Sequence, residues 1–189
     1  ETIVWLRTDS IFADDTLLHE VQEVLGPDLA GKVAWSTTHS HNAPEQYSAS
    51  SLLQLGGGVM RKLVRDRMRD KLALAAQTAL AAREPAQIGI ALDADFDPDD
   101  YVTHDRRGED NELAGGSKKD SFLWVIRVDR ADGSPLAILP IFGVHGTSVD
   151  AYNAFQSCDV AGGIERVLEE QFDSQVTVMH IQGAGGDVS

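Results

Sequence analysis

The sequence predicts an α/β fold, a mixed β-sheet flanked by helices. Three observations lead there. Apolar strand-like runs alternate with helical stretches in the order β-α-β-α-β, and a β-hairpin and a closing α-β pair follow. Helix limits are marked by acids at one end and glycine or proline at the other. Candidate chemical residues fall just past strand ends, where ligands collect in open α/β sheets. A chain of 189 residues suits one such unit and can bury a real core.

Thr2 to Arg7 reads as a buried strand. Asp14-Asp15 then opens a helix carrying Leu17, Leu18, Val21, Val24 and Leu25 at helical spacing, and Gly26-Pro27 ends it. Lys32 to Thr37 is the next strand. A long helix is expected from about Val59 to Arg83, amphipathic at first and then alanine-rich, with Pro85 as its stop. Gln87 to Leu92 looks like a strand. Residues 93–119 are polar and aperiodic, a length of loop that is usually functional or partly disordered. Phe122 to Asp129 and Leu136 to Val144 flank Asp132-Gly133, a hairpin signal. Gly162 to Phe172 reads as a short amphipathic helix and Val176 to Ile181 as the last strand.

Composition narrows the function. Lys and Arg number 16 against 30 Asp and Glu, a net charge of −14. That balance argues against nucleic acid as a partner, because polyanion binders concentrate positive charge. Much of the acid lies in Asp93 to Asp100; a calcium loop would need a spacing and glycine turn that are absent, so a solvated loop is expected. Cys158 is the single cysteine, so neither an intrachain disulfide nor a cysteine-rich metal site can form. No 18-residue apolar run is present, so no transmembrane segment is expected in this chain. No signal peptide is seen, and the chain begins as if already inside a strand, so it is expected to lack its natural start.

The chemistry-bearing residues form three clusters. His39 and His41, in Thr38-His39-Ser40-His41, sit two residues apart past a strand, so both imidazoles can project into one site. Such a pair suits a metal centre or an acid/base pair; two turn histidines bonded to backbone are the plainer alternative. His145 follows another apolar run, with Gly146 permitting a tight turn and Thr147 and Ser148 offering hydroxyls. Gly183 to Ser189 is a glycine-rich segment whose amides and serine hydroxyl could face developing negative charge; it is neither a nucleophile elbow nor a dinucleotide fingerprint. His19 and His180 are expected to be structural. Arg106-Arg107 in the polar loop could bind a polar or anionic substrate group or answer nearby acids.

Together the three motifs resemble the neutral (non-lysosomal) ceramidase family, zinc-dependent amidases that split N-acylsphingosine into sphingosine and fatty acid. The family pattern Thr-His-Thr-His-Ser-Gly-Pro-Gly-Gly-Tyr is similar to Thr38 through Tyr47. Its His-Gly-Thr-Ser motif, with a following Asn and Ser-Gly-Asp, resembles His145 to Ser148, Asn153 and Ser157-Cys158-Asp159. Its Asn-x-Gly-Asp-Val-Ser motif resembles Ala184 to Ser189.

By position, the resemblance implies zinc ligands at His39 and His145, and a proton-transfer or carbonyl-binding role for His41. It implies that Ser189 is either the nucleophile or a substrate contact beside a zinc-activated water, with the water favoured as attacker because it needs no separate base. Arg106 falls loosely where the family has an arginine that grips the substrate head. The remaining ligands, a glutamate and a tyrosine, would come from the rest of the catalytic domain, so the resemblance implies that 1–189 is one α/β segment of a larger catalytic domain, cut at both ends. A secreted or extracytoplasmic location is also implied. Asn42-Ala43 and Glu45-Gln46 depart from the family's small residues, making the floor beside His39 bulkier and more polar. Three readings follow: a zinc amidase for ceramide-like lipids, the same site acting on another amide or ester, and a catalytically silent binding domain.

Overall fold

A computed structural model of the chain describes residues 2–107, 119–149 and 155–188. Among the described residues, the elements form a mixed α/β assembly: β1 (Val4–Thr8), α1 (Asp15–Leu25), a short 3-10 turn (Pro27–Leu29), β2 (Val33–Thr37), α2 (Ser51–Gly57), α3 (Lys62–Ala81), β3 (Ala86–Asp93), β4 (Leu123–Arg130), β5 (Pro135–Phe142), α4 (Asp159–Glu170), β6 (Thr177–Val178) and β7 (Ile181–Gln182). Strands β1 and β2 pair in parallel. The other strands form a five-stranded mixed sheet, antiparallel from β3 through β5 and parallel where β6 and β7 join β5. The predicted fold class is the observed one.

Helices α1 and α3 cover the inner face of β1 and β2. Leu17 and Val21 of α1 are fully buried, and Val21 joins Val4, Leu6, Val33, Leu72, Ala73 and Ala76 in one cluster. Burying each valine or leucine of this cluster contributes about 1.5–3 kcal/mol. Asp14 caps α1 by accepting from the Leu17 amide at 2.8 Å, as the acidic start predicted. The Asp14 carboxyl is buried, which favours its neutral form. The Ser48 and Thr16 hydroxyls, the Leu17 amide and Arg65 outweigh that and hold it below the usual carboxylate range.

Several elements differ from expectation for identifiable reasons. Strand β1 starts at Val4 and buries Val4 and Leu6, while Trp5 between them is exposed and Ile3 lies before the strand. The long helix begins three residues later than expected, at Lys62, and is preceded by α2. There Gly56 and Gly57 hide a helical turn that Gly58 ends at φ 80°. Helix α4 starts at Asp159, not Gly162. Its early glycine makes room for a neighbour, since a Cβ on Gly162 would lie 1.8 Å from Cys158 Sγ. The last strand is split into β6 and β7, with His180 in the break and fully buried.

Within the polar loop, the described residues are organised around Asp97. Its carboxylate accepts from the amides of Tyr101, Val102 and Thr103 and pairs with Lys119 Nζ at 2.8 Å. Burial would raise its pKa, but Lys119 and the three amides prevail and hold it well below the usual range. Part of the acidic run is thus an internal clamp and not a solvated tract.

Candidate metal centre

Two strand-end segments meet edge to edge to build the site. After β2 the chain turns at His39, whose φ of 57° lies in the left-handed region that few non-glycine residues adopt. After β5 the chain continues through Val144 to Gly146, and Ser40 and Gly146 form a parallel bridge with the His41 amide donating to the Gly146 carbonyl at 3.0 Å. A Cβ on Gly146 would sit 2.6 Å from the His39 carbonyl oxygen, so only glycine allows this approach. The two histidines of the first segment do share one site, but strand alternation is not the reason. The strand has ended at Thr37, and the turn at His39 sets its ring nearly perpendicular to that of His41.

Three imidazoles converge there. One nitrogen each from His39, His41 and His145 lies within 4.8 Å of the others, the one such grouping of His, Cys, Asp and Glu among the described residues. Ring centroids are 4.6 Å apart for His39 and His145 and 5.1 Å for each pair with His41. His39 Nδ1 lies 2.7 Å from the Ile11 carbonyl and His145 Nδ1 lies 3.0 Å from the Gly185 carbonyl. A carbonyl can only accept, so both Nδ1 atoms carry the proton and both Nε2 lone pairs are left for the site. This is the arrangement by which metal-binding histidines are oriented. The donor set and tautomers fit a divalent ion that accepts nitrogen ligands.

His41 differs from the other two. It is exposed, and its Nε2 lies 3.2 Å from His145 Nε2. Partial burial, with His39 and His145 beside it, holds its pKa below the ordinary imidazole value; Arg106 acts in the same sense and Asp159 opposes. A neutral imidazole at this place can accept a proton and, once protonated, return it.

The glycine-rich segment closes one side. Gly185 holds His145, the Arg106 amide donates to the Asp187 carbonyl at 2.9 Å, and the Arg106 guanidinium donates to the Gly186 carbonyl. Arg107 pairs with Asp105 at 2.8 Å and Asp187 at 3.2 Å, so it answers nearby acids. The structure therefore brings His39, His41, His145 and Arg106 into one neighbourhood. Ser189 and Asn153 lie outside the described residues. Sequence reasoning gave no role to Asp159, whose carboxylate accepts from the Ser148 and Val149 amides, or to Tyr47, whose hydroxyl donates to the Phe12 carbonyl. The spacing of Ser157 and Asp159 after His145 was the available signal.

No family model matches the chain. It is 27% identical over 182 residues to neutral ceramidase A of Dictyostelium discoideum, and 24% identical over 184 residues to neutral ceramidase B of that organism. These matches cover 91% and 92% of this chain but 25% and 26% of the relatives, so the chain spans about a quarter of their length. Among solved structures it is similar to neutral ceramidase from Pseudomonas aeruginosa, with a TM-score of 0.83 at 18% identity over 98% of this chain and 31% of that one. A ceramidase complexed with C2 gives a TM-score of 0.85 at 18% identity, covering 99% and 30%. At that identity the solved structures show the fold.

Proposed function

We propose, taking this chain as a segment of the neutral ceramidase type, that it supplies half of a zinc centre that hydrolyses the N-acyl amide bond of a ceramide-like sphingolipid. The observation that carries this reading is the pair of Nδ1–carbonyl bonds at His39 and His145, which leave two Nε2 lone pairs for one ion. When bound, zinc would polarise the amide carbonyl and acidify a water.

The chain's own residues do the rest. His39 and His145 would hold the ion, and the rest of the catalytic domain would supply the remaining ligands. His41 is kept neutral beside them and exchanges a proton with the reacting group through Nε2. Arg106, held against the Gly186 carbonyl, offers a charged donor to the polar head of the substrate. Ser189 belongs to the same reading as a catalytic group beside the glycine-rich segment. A secreted or extracytoplasmic location goes with it. No described helix is long and apolar enough to cross a membrane.

The test uses the protein at its full natural length. It should contain about one zinc, and the double variant His39→Ala, His145→Ala should lose both the metal and amidase activity. Zinc retained by that variant would overturn the ligand assignment. Asn42-Ala43 and Glu45-Gln46 favour a second reading with the same centre and another substrate. Turnover of N-acyl amino acids or simple esters without turnover of N-acylsphingosine would select it.

A further inference from the structure

We infer that Asp159 is a positioning residue that clasps the two histidine-bearing segments into one metal centre, an inference that rests on the metal-centre reading above. Asp159 is 7% exposed, and its carboxylate faces back onto the turn that follows His145. Its Oδ1 accepts from the Ser148 amide at 3.0 Å and its Oδ2 from the Val149 amide at 3.1 Å, while Oδ1 also accepts from Val160 at 2.6 Å. A carboxylate that receives backbone amides on both oxygens fixes the path of that turn, and with it the stem of His145.

The residues just before Asp159 hold the other segment. The Ser157 carbonyl accepts from Ser40 Oγ at 2.7 Å, and the Ser157 amide donates to the Asn42 carbonyl at 2.9 Å. Ser40 and Asn42 flank His41 on either side. Ser157 Oγ accepts from the Asp159 amide at 2.9 Å, joining the two halves of the clasp. One three-residue stretch thus ties the His39–His41 turn to the His145 turn, in addition to the Ser40–Gly146 bridge. Asp159 has a φ of 53°, a conformation costly for most residues and tolerated best by glycine, asparagine and aspartate.

The experiment compares Asp159→Gly and Asp159→Asn with the wild type at full natural length. Glycine keeps the backbone angle and removes the clasp; asparagine keeps the angle and one accepting oxygen. Hydrogen exchange of the metal-free protein reads the Ser148 and Val149 amides directly. Cobalt affinity, by competition with a chromophoric chelator, and the cobalt absorption spectrum read the centre. The expected result for Asp159→Gly is exchange at those two amides at least about tenfold faster, cobalt bound about 10–100-fold more weakly, and a shifted spectrum; Asp159→Asn falls between. Unchanged exchange at both amides overturns the clasp. Faster exchange with unaltered cobalt affinity and spectrum overturns its link to the centre. If the wild type binds no cobalt, the metal-centre reading falls by itself, and the exchange result alone decides whether Asp159 holds the turn. Should Asp159→Gly fail to fold, Asp159→Asn carries the same readouts.

Discussion

Two histidine environments stand side by side in this molecule and differ in every respect that matters for chemistry. In the cluster of His39, His41 and His145, two rings are anchored on one nitrogen by backbone carbonyls and open on the other. His180 is fully buried, stacked edge-on against Phe142 at 4.9 Å, and neither ring nitrogen makes a hydrogen bond of good geometry among the described residues. Around it, Arg7 and Glu165 form a largely buried pair at 2.8 Å, and the His180 amide donates to Glu165. The difference teaches that a site is marked by imidazoles held on one side and left free on the other, not by burial or by an unpaired nitrogen alone.

Mutation should separate the two environments. His39→Ala should remove metal and cut hydrolysis by at least about 10³-fold, on the order of 4 kcal/mol of transition-state stabilisation. His180→Leu should leave metal stoichiometry at the wild-type value. Metal analysis of the two purified variants decides it, and a loss of zinc in His180→Leu would erase the distinction.

A somewhat smaller effect concerns pH. Burial, with nearby Arg7 adding and the Phe142 backbone opposing, pushes the His180 pKa down to about 4 from 6.5. The folded state therefore binds fewer protons than the unfolded state between those values, and stability rises with pH across that window. The contribution is fully present above pH 6.5 and is lost as pH falls toward 4, on the order of 3 kcal/mol in total. Glu165 works in the opposite sense, since burial raises its pKa despite Arg7. The comparison of urea midpoints between wild type and His180→Leu isolates the histidine: the variant should lose less stability on going from pH 7 to pH 4.5. Parallel curves would contradict the assignment.

How much of this was legible beforehand follows from the same contrast. Local signals sufficed where one side chain determines the outcome: Asp14 as a helix cap, Asp132-Gly133 in the hairpin, and apolar runs that end at His39 and His145. They failed where the outcome depended on distant chain. Nothing near His39 in sequence announces that the Ile11 carbonyl will fix its tautomer, or that Gly185 will do so for His145. Likewise, Gly162 reads as a helix boundary until Cys158 is seen against it. The acids of the 93–100 run gave no hint that Asp97 would face Lys119 across 22 residues. His180 was expected within a strand, but the break between β6 and β7 is visible only once both are paired to β5.

Substitution at Gly146 alters the approach of the two segments without touching a proposed ligand. Gly146→Ala places a methyl 2.6 Å from the His39 carbonyl, a backbone atom that cannot swing aside. The expected cost is about 1–3 kcal/mol of stability with a weaker metal site, because relief requires the segments to part. Titration with zinc alongside thermal melting measures both. An alanine variant with wild-type metal affinity would mean that the close approach is incidental to the centre.

The smallest effect tests how far support for the site extends. Tyr47 is fully buried, and its hydroxyl donates to the Phe12 carbonyl, next to the Ile11 carbonyl that holds His39. Burial pushes the Tyr47 pKa up to about 12, so the phenol stays protonated and able to donate throughout the neutral range. Tyr47→Phe keeps the ring contacts with Phe12 and Trp35, whose centroids lie 5.3 and 6.2 Å away, and removes only the donor. The loss should be about 1 kcal/mol in the urea midpoint, the usual net value of one such bond. If the 11–12 segment aligns His39 through this bond, zinc affinity should also fall by a few-fold, whereas a purely structural tyrosine would lower the midpoint and leave affinity alone. The two numbers together tell whether the held nitrogen of His39 is fixed by the Ile11 carbonyl by itself or by the whole layer of side chains behind it.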